Sequence, residues 1–318
     1  MIELRHLRTL SALRETGSLV EAAEKVFLTQ SALSHQIKDL EHKLSLELFI
    51  RKTKPVEFTT AGQRLLLLAD DLLPQIRNTE RELNRLAAGA VGRLNIAIEC
   101  HSCFQWLMPS LDRYRADWPE VELDLSSGFN FAPLPALRNG ELDLVITANP
   151  KNLPGISYVP LFSYESVLAV SNQHPLASKA YIEPEELADQ TLICYPVDRD
   201  MLDVFVKFLE PAEVEPAAIR HAELTVMMMQ LVASGRGVCA LPNWALEEYS
   251  SRGYVTAVSM SEAGIWCTLY AALRSDQADS KYMMDFLDTA RETSAATLVG
   301  VKQTTQQGHP LKAPEDCL

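Results

Sequence analysis

Residues 29–44, TQSALSHQIKDLEHKL, constrain this chain more than any other stretch, because their apolar side chains recur at helical spacing along one side only. Ala32, Leu33, Ile37, Leu40 and Leu44 predict a core-facing stripe, whereas Thr29, Gln30, Ser31, Ser34, His35, Gln36 and Lys38 point away from it. A short amphipathic helix is marginal by itself, so other elements must cover the stripe. The outward face is rich in hydroxyl and amide groups, which match base edges and phosphate oxygens in a DNA major groove. Thr29 is placed to cap the helix and leave its first amides aimed at an anion. A plain solvated helix face is the alternative.

The preceding residues favour the first reading. Leu4, Leu7, Leu10 and Leu13 predict an amphipathic first helix ended by Thr16-Gly17. Ser18 stands where it would cap a second helix, SLVEAAEKV, whose alanines allow close approach, and Phe27-Leu28 forms a short turn into the third. This is the helix-turn-helix layout, in which the second helix of the pair enters the groove. Residues 48–59 then show β-prone pieces around a basic turn carrying Arg51, Lys52 and Lys54, either a phosphate-contacting wing or an ordinary charged hairpin.

A long helix is predicted from Thr59 or Thr60, with Gln63 placed for a capping box. Leu65, Ala69, Leu72, Ile76, Thr79, Leu83 and Leu86 alternate steps of four and three, a heptad seam that needs a partner helix. Either a second subunit or the chain's own body could supply it. Pro74 lies inside this helix and should kink it or remove one hydrogen bond.

Charge is divided unevenly along the 318 residues, whose net charge is -13. Residues 1–60 hold nine basic and eight acidic side chains and residues 61–90 four of each, so the remaining 228 hold 16 basic and 30 acidic. That acidic C-terminal body would be repelled by phosphate, which leaves the N-terminal part to contact DNA. The N-terminus lacks a signal-peptide pattern and no apolar run approaches a membrane span, so a cytoplasmic location is expected, with no membrane partner. Six scattered cysteines do not form a disulfide framework.

Beyond the small-residue hinge at residues 87–92, strand patterns alternate with helical ones, which argues for α/β architecture. Strands are expected at 94–98, 121–125, 142–147, 166–170, 191–195, 238–241 and 269–273, and helices around 106–114, 135–139, 201–209, 224–234 and 281–291. The return at about residue 265 implies that the end of the chain completes the first subdomain.

The run Ser18-Leu19, Ala22-Ala23, Thr29-Gln30-Ser31-Ala32-Leu33-Ser34, Gln36-Ile37, Leu40-Glu41, Leu48-Phe49 and Arg51 resembles the signature of LysR-type transcriptional regulators, and the likeness extends over roughly the first 300 residues. It implies a winged helix-turn-helix at 1–59, a dimerising linker helix at 60–89, and a periplasmic-binding-protein-like, two-lobed effector domain at 90–299. Lobe I would comprise 92–162 and 266–299, and lobe II 163–265. Residues 300–318, polar and with two prolines, are expected to be disordered.

The resemblance places Ser18, Thr29, Gln30, Ser31, Ser34, His35, Gln36, Lys38, Arg51 and Lys52 against double-stranded DNA, and Leu65, Leu72, Ile76, Leu83 and Leu86 on a subunit seam. It implies a homodimer or tetramer, with RNA polymerase as a further partner. The segments QSALSHQ, RLNIAIECHSC, ELDLV and YPV are most similar to the family's regulators of methionine biosynthesis, which implies homocysteine as effector, activation of target genes and repression of its own.

Cys100-His101-Ser102-Cys103 lies at a strand-to-helix junction and admits three readings: a thioredoxin-like redox pair, part of a metal site, or amides and a hydroxyl offered to an anionic ligand. The resemblance favours the third, with Cys100, His101 and Ser102 in the effector pocket. Phe129, Thr147, Tyr195, Val197 and Thr225, on facing strand ends, are the next candidates. Asp198, Asp200 and Asp203 suggest a helix opening rather than a cation site, and Met227-Met228-Met229 core filling rather than metal ligation. No nucleophile elbow, phosphate loop or paired-carboxylate signature stands out, so neither an enzyme, a cofactor nor a metal is expected.

Overall fold

The computed structural model describes residues 2–50, 55–88, 92–99, 103–126 and 133–304. It divides into two compact units, Met1–Gly89 and Ala90–Leu318.

The first unit contains α1 (Leu4–Thr16), α2 (Leu19–Lys25), α3 (Gln30–Leu44), β1 (Phe49–Ile50), β2 (Glu57–Phe58) and α4 (Thr60–Ala88). Leu10, Leu13, Leu33 and Leu40 are almost wholly removed from solvent, each contributing about 1.5–3 kcal/mol of burial against the entropy of ordering the chain. Ala22 and Ala23 bring α2 close to its neighbours. Gly17 ends α1 in the left-handed region, φ 65°, and its N–H donates to the Leu13 carbonyl at 2.9 Å. Strands β1 and β2 pair antiparallel as a short hairpin. Arg14 on α1 makes a bidentate pair with Asp70 on α4, at 2.8 and 2.6 Å.

Helix α4 is unbroken through Pro74. Thr59 Oγ1 accepts the Gly62 N–H at 3.2 Å and donates to the Glu47 carbonyl at 2.7 Å, tying the helix start to the hairpin. The seam is shared out differently from the sequence expectation. Leu65 and Leu66 are buried with Leu10, Leu40 and Leu48, and Ala69 and Leu73 with Leu7. Leu65 is therefore a core residue of its own chain and not a subunit contact, because α1 covers the first heptad. Leu72 and Ile76 are half-buried and Leu83 is 60% exposed, leaving the later part of the seam open. The Leu86 side chain lies outside the described residues.

The second unit runs β3 (Gly92–Ile98), α5 (Phe104–Asp117), β4 (Val121–Ser126), α6 (Pro133–Arg138), β5 (Leu144–Thr147), β6 (Ile156–Ser171), β7 (Tyr181–Ile182), β8 (Thr191–Cys194), β9 (Ala218–His221), α7 (Thr225–Ala233), β10 (Cys239–Pro242), α8 (Asn243–Ser251), β11 (Val255–Met260), β12 (Ile265–Arg274), α9 (Lys281–Thr297) and β13 (Lys302–Gln303). The strand order is β4-β3-β5-β12-β6-β11-β7, with β3 parallel to β4 and β5, and β12 antiparallel to β5 and β6. A separate parallel pair, β8-β9, completes the second half.

Strand β6 is far longer than the 166–170 segment expected. Its first part pairs with β12 along Ile156 to Ser166, and its last part with β10 and β11, so one continuous strand serves both halves of the sheet. Tyr114 and Phe286 pack edge-on between α5 and α9 at 5.3 Å on one face. Leu134 and Leu137 of α6 cover the other. The tail is ordered further than expected: Lys302 and Gln303 pair with Ser163 and Phe162, and Lys302 Nζ lies 3.2 Å from the Trp266 ring centre. Residues 305–318 lie outside the described residues. Met228 and Met229 fill the core, but Met227 is exposed. No helix among the described residues is long and apolar enough to cross a membrane.

Candidate functional site

Two surfaces hold residues expected from the sequence to bind a partner, one in each unit. On α3, Thr29 holds the N-cap position, and its Oγ1 accepts the Ala32 N–H at 3.2 Å and lies 3.1 Å from Ser31 Oγ. The first turn has no acidic side chain, so the positive end of the helix dipole is unopposed locally. Gln30, Ser31, His35 and Lys38 are exposed, and His35 Nδ1 lies 3.1 Å from Asp39 Oδ2.

Several assignments on this face need correction. Ala32, expected in the buried stripe, is exposed. Ser34 and Gln36 are half-buried, and Gln36 Nε2 is shut off from solvent without a hydrogen-bond partner among the described residues. Gln36 is therefore a packed amide in this state and not an outward one. Ser18 occupies the N-cap of α2, but its side chain makes no cap bond. Arg51, Lys52 and Lys54 lie outside the described residues. The turn also holds a residue the periodicity did not single out: Phe27, left-handed at φ 58° and 96% exposed. Its place two residues before the cap is its sequence signal.

The second unit encloses a cavity of about 120 Å³. Glu99 at the end of β3 and Ala148 and Asn149 after β5 form one side. Tyr164 and Ser166 of β6 form the back, and Tyr195, Val197, Met201 to Val204 and the β10 residues Ala240 to Pro242 form the other side. Of the expected effector residues, Tyr195 and Val197 line this space. Thr225 sits behind the wall, its Oγ1 2.7 Å from Tyr195 Oη. Thr147 is fully buried, accepts the Asn149 N–H at 2.9 Å and hydrogen-bonds the Glu99 carboxyl. Cys100, His101, Ser102 and Phe129 lie outside the described residues, while Cys103, at the N-cap of α5, is wholly buried.

Two carboxyl groups on the wall were not singled out as ligand groups from the sequence. Burial pushes the Glu99 carboxyl above its ordinary 4.5, against the pull of the Thr147 hydrogen bond and the Lys151 charge. Its sequence signal is a lone carboxyl directly after the apolar run Ile96-Ala97-Ile98. Asp203 stands at the start of the helical turn Val204–Leu209, as expected, but its side chain makes no cap bond; it lies 3.2 Å from Lys207 Nζ and accepts from Tyr164 Oη at 3.3 Å. Burial, reinforced by Asp203, pushes the neighbouring Cys267 thiol up to about 12, which keeps it an inert thiol. No group of three or more metal-ligating side chains occurs among the described residues.

Comparison with known proteins accounts for both surfaces. Residues 4–63 match the bacterial regulatory helix-turn-helix family of lysR type, and residues 87–295 match the LysR substrate binding domain. The chain is 45% identical over 300 residues to the HTH-type transcriptional regulator MetR of Haemophilus influenzae, covering 94% of this chain and 97% of that protein. It is likewise 45% identical over 302 residues to MetR of Escherichia coli K12, covering 95% and 94%. The solved regulatory domain of MetR, a LysR family regulator from N. meningitidis, superimposes with a TM-score of 0.62 at 42% identity, covering 67% of this chain and 98% of that one. A groove-reading helix at one end and a ligand-binding fold at the other, each matched to its own family, make this chain a member of the LysR family of DNA-binding transcriptional regulators.

Proposed function

We propose that this protein regulates genes of methionine biosynthesis and that homocysteine is the molecule its C-terminal unit senses. The observation that carries the reading is the 45% identity to MetR proteins over nearly the whole of both chains. The cavity is compatible with it: Val197, Leu202, Val204 and Leu241 offer apolar walls to a thiol-bearing side chain, and Met201 adds a soft sulfur.

Two copies of the chain pair through the open part of the α4 seam, so that two α3 helices read two half-sites of a dyad. Homocysteine acts by differential binding: it stabilises one arrangement of the second unit and so changes how the dimer holds DNA and meets RNA polymerase. No catalytic step is involved. The test is a nuclease footprint on promoters of methionine-synthase genes with and without homocysteine. Protection over a dyad that changes with homocysteine supports the reading; protection indifferent to homocysteine removes the effector, and no protection at moderate salt removes the operator.

A further inference from the structure

We propose that Glu99 recognises the α-ammonium group of an amino-acid effector, so that the cavity selects amino acids over the same skeleton lacking the amine. This rests on the cavity being the effector site. Among the described residues, its wall carries two carboxyl side chains and no lysine, arginine or histidine. The two carboxyls are not equivalent. Asp203 already has Lys207 at 3.2 Å and the Tyr164 hydroxyl at 3.3 Å.

Glu99 is influenced by the Thr147 hydroxyl and by the charge of Lys151, whose ammonium also lies 3.9 Å from Asp200. Glu99 thus lines the cavity with the desolvation of its carboxyl only partly offset. A ligand ammonium would supply charge-assisted hydrogen bonds there, and a neutral or anionic group would leave that cost in place. The position is also rigid. The Glu99 N–H donates to the Ile146 carbonyl at 2.9 Å, and β3 is held on both sides by β4 and β5.

The experiment is calorimetric titration of the full chain, under reducing conditions, with L-homocysteine and with 4-sulfanylbutanoate, which keeps the thiol and carboxylate and lacks the amine. Wild type should bind homocysteine roughly ten- to a hundredfold more tightly than 4-sulfanylbutanoate. In Glu99→Gln, homocysteine should weaken by a similar factor while 4-sulfanylbutanoate is unchanged or tighter. Equal wild-type affinity for the two ligands, or full homocysteine affinity in Glu99→Gln, overturns the role of Glu99 alone. Wild type that binds no homocysteine overturns the effector assignment and this inference with it. Equal wild-type affinity for the two ligands overturns the proposal even if the variant folds poorly.

Discussion

The Asp143 carboxylate, with its side chain 1% exposed, accepts hydrogen bonds from Arg93 Nε at 2.8 Å and from the Asn95 N–H at 3.0 Å. Arg274, also buried, stands 4.0 Å away on β12, so this one carboxylate, just before β5, ties β3 to β12. Asp143→Ala would leave the Arg93 guanidinium without its counter-charge and Arg274 with only Asp276, at 3.5 Å, and should cost about 3–5 kcal/mol. All four tryptophans, Trp106, Trp118, Trp244 and Trp266, lie in the second unit, so the loss is read as an earlier fluorescence transition in urea. A transition within about 0.5 kcal/mol of wild type would show that the network is not structural.

Gly62 is required by close approach rather than by an unusual backbone angle. A Cβ there would sit 2.2 Å from the Leu48 carbonyl oxygen and 3.1 Å from the Phe58 ring. Gly62→Ala should therefore push the hairpin off α4, destabilise the first unit by about 1–3 kcal/mol and weaken DNA binding. The tryptophan transition should be unmoved, since the first unit contains none. A variant with wild-type helicity on melting and wild-type DNA affinity would contradict the packing described here.

Glu99 makes stability depend on pH in a direction opposite to a salt-bridged carboxylate. Its folded pKa is raised by burial, so folding favours the protonated form. Stability from this group is complete below its ordinary 4.5 and declines as pH rises through the elevated folded value. Glu99→Gln mimics the protonated form and should melt above wild type at neutral pH without ligand. The gap should close on acidification towards pH 4.5. A gap that widens on acidification would mean that Glu99 is stabilised as an anion.

Gln30→Ala combined with Ser34→Ala should reduce discrimination between operator and non-operator DNA, at about 1–3 kcal/mol for each base no longer read. Arg51→Ala should instead weaken binding to all sequences and lower the salt slope by about one. Binding isotherms over a salt series separate the two effects. An unchanged specificity ratio in the double variant would remove Gln30 and Ser34 from base reading.

The sequence by itself determined the elements whose stabilising contacts span three or four residues. The leucine spacing of α1, the Thr29 cap and the Gly17 stop follow from such local contacts, and so the reading head is legible from residue spacing alone. The alternation of strands and helices marked the C-terminal unit as α/β for the same reason. Tertiary structure decided what depends on partners distant in the chain. Leu65 fits a heptad in sequence, yet α1 reaches it first and makes it core. Strand β6 reads as a short segment locally, but its partners β10, β11, β12 and β13 extend it across both halves of the sheet. Glu99 looks like any strand-end carboxylate until Ala148, Asn149, Tyr164 and the residues around Tyr195 form a cavity beside it. Periodicity records which side chains avoid water, whereas the choice of neighbour and the electrostatics of a buried group are set only when separate segments compete for the same surface.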